Sequence, residues 1–288
     1  MDKLCIAFAD FWPEWNLEDF ISPILKKYFD VEYNNHNPDV IFHSIFNRMQ
    51  ETPKYKCKKV LILAENWRSS QFASNYSISF DPQSETNYRL PLWQIYCLLW
   101  PKLRERVFSH RLNYEKFDRF CSFIVSNPNN FFRNAFYEKL NMQSLGKIHS
   151  YGKFKTNDFS LIKASHGKYW REAKDEFFQQ NKHKYSITFE NNSYPGYTTE
   201  KLMDAFLVGS IPIYWGDPDV GKDWNTNAFI NTMKLGINEA INLIKKMEVD
   251  NNLYMQMYTQ PIFTDEQRER NANNIDGFEN WLIEILKK

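Results

Sequence analysis

The stretch Phe189-Glu190-Asn191-Asn192-Ser193-Tyr194-Pro195-Gly196-Tyr197-Thr198-Thr199-Glu200-Lys201-Leu202 joins an apolar run at 185–189 to a helical pattern. Its Asn, Ser, Pro and Gly residues are turn formers, and a plain connection accounts for them. Glu200 has a local explanation too, since an acid in the first helical turn gains roughly 0.3–1 kcal/mol from the helix dipole. Lys201 has none: a cation there opposes the positive end of the dipole unless an anion docks beside it. Free backbone N–H groups with a lysine at a helix start form a phosphate site. Glu200 would then accept hydrogen bonds from a ribose. Arg133 is a second such cation, just inside a helical pattern that follows Asn127-Pro128-Asn129-Asn130. A solvated helix-surface arginine is the ordinary alternative there. Together the two cations could neutralise a diphosphate without a metal, each charge-assisted hydrogen bond contributing roughly 1.5–3 kcal/mol.

These side chains need a frame. Apolar runs at 3–9, 40–43, 60–63, 120–126, 185–189 and 211–214 read as strands, and 3.6-residue spacing predicts helices over 17–29, 93–108, 131–140, 198–208, 237–247 and 277–286. Thr198 is the expected N-cap of the helix that carries Glu200 and Lys201. Alternating strands and helices argue for parallel sheets covered by helices. Two such series, dividing near 111–119, predict two α/β domains facing each other across a cleft. The bounds read as 1–115 and 116–265, with a terminal helix at 266–288 packing back toward the first domain. Ligands of open α/β sheets bind outside the carboxyl ends of the strands. Polar stretches stand at three such ends, after residues 63, 126 and 189.

Bulk properties narrow the function. The chain has 288 residues, 43% hydrophobic and 25% charged, which is globular composition. With 36 basic and 35 acidic residues it has no field to attract nucleic acid or an anionic membrane. Cys5, Cys57, Cys97 and Cys121 are far apart, which argues against disulfides and zinc, and three of them lie in or beside apolar runs, which suggests small buried hydrophobes. Asp217-Pro218-Asp219 has the D-x-D form that holds a divalent ion on a sugar nucleotide, but within Gly-Asp-Pro-Asp it reads as a turn. There is no signal peptide and no apolar stretch of membrane-spanning length. A cytoplasmic location is expected, with at most a loose association with the inner membrane face; a catalytic piece whose anchor lies elsewhere is the alternative. Neither a Walker loop nor a G-x-G-x-x-G fingerprint is present, against an NTPase or a dinucleotide oxidoreductase.

Phe189-Glu190-Asn191, Gly196-Tyr197-Thr198-Thr199-Glu200-Lys201-Leu202 and Ile211-Pro212-Ile213-Tyr214-Trp215-Gly216 resemble the signature of the α1,3/4-fucosyltransferases, glycosyltransferase family 10. More specifically, they are similar to the bacterial members that make Lewis-type antigens. Residues 122–140, 87–92 and the opening KLCIAFADFWPEW extend the likeness over nearly the whole chain. The resemblance implies a GT-B fold of two Rossmann-like domains with the active site between them. It implies inverting α1,3 transfer of L-fucose from GDP-fucose to the GlcNAc 3-hydroxyl of N-acetyllactosamine-type glycans, with no essential metal. By position, Arg133 and Lys201 would hold the diphosphate, and Asn191, Tyr197 and Glu200 would line the nucleotide and fucose site. Glu65, in Leu63-Ala64-Glu65-Asn66-Trp67, matches the family's general base. Asn66 and Trp67 would touch the acceptor, while Trp12, Trp15 and Trp67 could stack on sugar faces or serve as packing. Ala64 stands where relatives often have Gly, and Trp67-Arg68 replaces a more acidic continuation. The heptad repeats and basic tail of some relatives are missing before Lys288. The alternatives are α1,4 or dual linkage, another GT-B nucleotide-sugar transferase, and a non-catalytic glycan-binding module. An E-x7-E retaining pair is not among them, because Glu190 and Glu200 are ten apart.

Overall fold

The computed structural model describes residues 1–12, 20–109 and 117–288. Two compact units are resolved, one of Met1–Arg104 with Glu269–Lys288 and one of Glu105–Arg268. The division expected at 111–119 falls largely on 110–116, and Trp15 on 13–19; both lie outside the described residues.

The first unit contains β1 (Asp2–Ala9), α1 (Ser22–Leu25), β2 (Phe29–Tyr33), β3 (Val40–His43), β4 (Lys58–Ile62), β5 (Tyr76–Ser79) and β6 (Asn87–Arg89). Among the described residues these strands form a six-stranded sheet, order β2-β1-β3-β4-β5-β6, parallel throughout. All four residues of β3 are buried, as expected of a parallel strand covered on both faces. Its core joins Ile6, Phe42, Ile62 and Ile78 to Phe278, Leu282 and Ile285 from the end of the chain. Phe278 stacks on Phe20 with centroids 5.7 Å apart, and the Tyr88 hydroxyl donates to the Asn274 carbonyl at 2.6 Å.

Two expected helices are corrected here. Residues 17–19 lie outside the described residues, and of the rest of 17–29 only α1 is helical. Phe29 instead begins β2, paired with Asp2 of β1, because an edge strand there buries its ring in the core. The helix expected over 93–108 is two, α2 (Leu92–Leu99) and α3 (Pro101–Phe108). Trp100 between them is extended (φ −127°, ψ 92°), since the ring of Pro101 disfavours helical backbone in the residue before it.

The second unit contains β7 (Arg119–Phe123), α4 (Phe131–Asn141), β8 (Ile148–Ser150), α5 (Ser160–Ala164), α6 (Trp170–Gln180), β9 (His183–Ile187), α7 (Lys201–Leu207), β10 (Ile211–Tyr214), β11 (Ile230–Asn231), α8 (Thr232–Val249) and α9 (Asn251–Tyr258). The last helix, α10 (Asp265–Lys287), follows. The strands form a parallel sheet in the order β11-β10-β9-β7-β8. Phe123, Ile187 and Ile213 of the sheet pack with Phe136 of α4 and Ile244 of α8. Because β7 and β9 are neighbours, the loops leaving their carboxyl ends meet, and these lead into α4 and α7. Of the cysteines, Cys97 and Cys121 are buried as expected, whereas Cys5 and Cys57 are only half-buried. No helix among the described residues is long and apolar enough to cross a membrane.

Candidate active site

The chain leaving β9 stays alongside β10 for three residues, with Thr188 N–H donating to Ile213 O and Glu190 N–H to Trp215 O, both at 2.8 Å. This pairing points the Glu190 side chain into the protein, fully buried. It passes so close to Gly216 that a Cβ there would lie 2.4 Å from Glu190 Cγ, so only glycine fits. The carboxylate accepts from Thr199 N (2.8 Å), Thr199 Oγ1 (2.7 Å) and Lys201 Nζ (3.0 Å). Burial pushes Glu190 above its ordinary pKa, against the pull of Lys201.

Lys201 therefore has a local partner that the dipole argument missed. Its ammonium also bonds Thr199 Oγ1 at 2.7 Å and lies 3.6 Å from Glu200 Oε1. Burial would lower its pKa, but Glu190 and Glu200 more than offset this and hold it charged. An ammonium has three N–H donors, and two are engaged here. About a quarter of the side chain remains accessible. Thr198 is not the N-cap. Its hydroxyl donates to Asp217 Oδ2 at 3.0 Å, and α7 starts only at Lys201, with Glu200 in the capping position.

Asp217 is the anchor of this loop. It is fully buried and also accepts from Gly196 N (2.8 Å) and Asp219 N (2.7 Å). Gly196 takes φ 85°, a conformation open to glycine at little cost. The D-x-D segment is thus a turn whose first carboxylate is spent on protein donors. Among the described residues, no group of three or more His, Cys, Asp or Glu could hold a metal ion.

Arg133 proves to be deeply buried, 1% exposed, rather than on a solvated helix face. Asn130 caps α4 by accepting from Arg133 N at 2.9 Å and donates to the carbonyls of Glu190 and Asn191. That amide ties the two loops together. The guanidinium donates to Asn191 Oδ1 (3.2 Å) and to the Asn127 carbonyl, while its buried Nε has no partner. Burial lowers its pKa, and Glu190 and Tyr197 counter this only from a distance. No carboxylate among the described residues forms an ion pair with it. Tyr197 is buried beside these groups, 2% exposed, and Asn191 is exposed above them.

A cavity of about 300 Å³ opens at the carboxyl ends of β7 and β9, between α6 and α7, and is lined by Ser126, Trp170, Lys174, Thr188, Glu200 and Lys201 among others. That is the lower end of small-ligand sites. Asp204 on its floor pairs with Arg171 Nη2 at 2.8 Å and with Lys174. Burial works against the Glu200 carboxylate, yet Lys201, Lys174 and Arg171 hold its pKa at about 2. Arg171, Lys174 and Lys201 line this cavity together with the carboxylates of Asp175, Glu200 and Asp204, so its charges are closely balanced. Sequence reasoning missed Glu190, Asp204, Arg171 and Lys174. Only the i, i+3 spacing of Arg171 with Lys174 and of Lys201 with Asp204 hinted at two facing helices.

In the first unit, Glu65, Asn66 and Trp67 follow one another in the loop after β4. Glu65 and Asn66 are half-buried and Trp67 is 52% exposed. Trp67 N–H donates to Glu65 O at 2.7 Å, closing a tight turn. Arg68 braces it, bonding Asn66 Oδ1 (2.7 Å) and Asp81 Oδ1 (2.8 Å) with its guanidinium 4.4 Å from the Phe80 ring.

Sequence models of two domains match this chain. One described as the alpha-(1,3)-fucosyltransferase FucT N-terminal domain covers residues 6–96. The other, glycosyltransferase family 10 (fucosyltransferase) C-term, covers residues 114–268. The chain belongs to glycosyltransferase family 10. The family 10 chain is 28% identical to the alpha-(1,3)-fucosyltransferase FucT of Helicobacter pylori over 91% of its own length, and spans 61% of that protein. A shorter match, 43% identical over 47 residues, is to alpha-(1,3)-fucosyltransferase B of Drosophila melanogaster and covers 16% of this chain and 10% of that one. Among solved structures it is similar to an α1,3-fucosyltransferase with GDP-fucose (TM-score 0.71, 24% identity, 100% of this chain and 91% of that one). The same enzyme type with GDP gives TM-score 0.68 at 25% identity, covering 97% and 91%. The α/β fold with its two parallel sheets is of the GT-B type.

Proposed function

We propose that the chain is the catalytic part of an inverting α1,3-fucosyltransferase. It moves L-fucose from GDP-fucose to the 3-hydroxyl of GlcNAc in N-acetyllactosamine-type glycans, giving a Lewis x-type product. The observation that carries this is Arg133: a buried guanidinium without a carboxylate partner among the described residues, bonded to Asn191 while the Lys201 ammonium is bonded to the adjacent Glu190. Glu190 and Glu200 both face Lys201, whereas the acceptors on the Arg133 guanidinium are neutral, so the guanidinium is the charge left for an anion to answer. The diphosphate of the donor supplies that anion. Asn191 Oδ1, now on Arg133, marks where a phosphate oxygen would sit once the exposed Asn191 turns aside. Glu200, kept ionised, accepts from the ribose hydroxyls, and Tyr197 backs the phosphate site.

In the reaction the acceptor oxygen attacks the anomeric carbon from the side opposite the diphosphate. Its proton passes to Glu65 as the bond to the β-phosphate breaks and the electron pair leaves with GDP. Arg133 and Lys201 stabilise the charge that grows on the leaving group. Trp67 and Asn66 orient the acceptor sugar beside the base. No metal takes part in this scheme.

The test is incubation of purified protein with GDP-fucose and N-acetyllactosamine, read by mass spectrometry and NMR. An α-linked fucose on the GlcNAc 3-hydroxyl is the expected product. Hydrolysis of GDP-fucose alone would retain the donor and reject the acceptor, and failure to bind GDP would reject the whole reading.

A further inference from the structure

The carboxyl edge of the first unit's sheet carries a second aromatic platform, on the loops after β1 and β3. Trp12 is 53% exposed, so it is not the packing residue it could have been. Its ring meets Phe46 edge to face, with centroids 5.3 Å apart and planes at 77°. This contact fixes the tilt of the indole without covering it.

The loops beneath are built at a conformational cost. Asp10, Asn47, Arg48 and Met49 have φ of 55°, 48°, 52° and 51°, four of the six such non-glycine residues among those described. Left-handed backbone is unfavourable for side chains other than glycine, and such strain persists only where the surroundings enforce it. Here they do. The buried Asp10 carboxylate accepts from Glu51 N (3.2 Å), Thr52 N (2.8 Å) and Thr52 Oγ1 (2.7 Å), and Phe46 N–H donates to Asp10 O at 2.9 Å. The ends of β1 and β3 are therefore stitched into one rigid ledge under Trp12 and Phe46.

The ledge and the proposed acceptor loop leave the same carboxyl edge of the sheet. In the sheet order, β3 separates β1 from β4, so the ends of β1 and β4 stand about 10 Å apart, on the order of two pyranose rings in line. An exposed, oriented indole presents a flat apolar face of the kind that packs against the C–H face of a sugar. We infer that Trp12 and Phe46 form a remote acceptor subsite, which holds a sugar residue two or more places away from the one that reacts beside Glu65. The acceptor is then an extended oligosaccharide rather than a disaccharide. This rests on the proposed glycan acceptor and adds its length.

The experiment compares N-acetyllactosamine with a hexasaccharide of the same repeat, for the unmodified protein and for Trp12→Ala and Trp12→Phe. The subsite predicts a preference for the hexasaccharide in kcat/KM, which Trp12→Ala lowers by about tenfold, the loss of one aromatic anchor, and Trp12→Phe lowers less. An unchanged ratio in Trp12→Ala overturns the inference, as does an equal loss in both aromatic and alanine variants. Should neither glycan be fucosylated, the proposed acceptor reaction falls, and the subsite is read separately by saturation-transfer NMR with the hexasaccharide. Equal saturation transfer from the unmodified and Trp12→Ala proteins then rejects it.

Discussion

At the scale of single residues, the site divides into groups that meet the ligand and groups that hold them in place. Glu65 is proposed as the base, so Glu65→Gln should reduce transfer by orders of magnitude and leave GDP affinity close to unchanged. Stopped product formation with normal GDP titration checks this; a parallel loss of GDP binding would place Glu65 elsewhere in the scheme. Glu190 belongs to the second class. Its carboxylate is fully buried and satisfies three donors, Lys201 among them. Removing one partner of a buried ion pair strands the other charge, at a cost of roughly 3–5 kcal/mol. Glu190→Gln should accordingly lower the urea midpoint and weaken GDP binding together. A variant that loses only activity would show that Glu190 is a ligand group and not an anchor.

Among the secondary-structure elements, the amino-terminal end of β9 sets an acid limit on the second unit. His183 starts the strand fully buried, with Nε2 3.0 Å from Tyr151 Oη, which accepts in turn from Arg119. Burial first, and then the nearby His149 and Arg119, push its pKa down to about 3. The unfolded chain takes up a proton at about 6.5, so between about 6.5 and 3 it binds one that the folded chain does not. Stability is therefore full above 6.5 and falls as pH drops through that window, by up to about 1.4 kcal/mol per pH unit from this group. Glu200, held at about 2, contributes a loss only below its ordinary value of 4.5. Buried His43, also lowered by desolvation, adds to the slope in the same direction. Urea titrations between about pH 4.5 and 7 should show this slope, and His183→Phe should flatten part of it. An identical slope in the variant would mean that His183 is already charged in the folded protein.

On the scale of the whole molecule, the first unit is discontinuous in sequence. Phe278, Leu282 and Ile285 of α10 are buried in a core otherwise made from the amino-terminal third of the chain. Phe278 alone contacts Phe20, Tyr88 and Trp281. Phe278→Ala should destabilise that unit by about 3–5 kcal/mol, seen as a drop in its melting temperature. Calorimetry that shows no change would mean the end of the chain is dispensable to the sheet of the first unit.

The sequence alone determined what depends on local chemistry. Apolar runs located β1, β3, β4, β7, β9 and β10 but not β2, β5, β6, β8 and β11, the break at Trp100 before Pro101 went unread within 93–108, and the turn residues of 189–200 marked a strand end. The signature from Phe189 to Gly216 was enough to indicate the family, because those residues lie close together in the chain. What tertiary structure decided was partnership. That Lys201 answers to Glu190, that Thr198 is held by Asp217 instead of capping α7, and that Arg133 is buried on neutral acceptors all depend on loops from different strands meeting. So does the exposure of Trp12. Periodicity reports which face of an element is apolar, but parallel pairing in register sets which loops lie side by side, and that pairing joins residues distant in the chain.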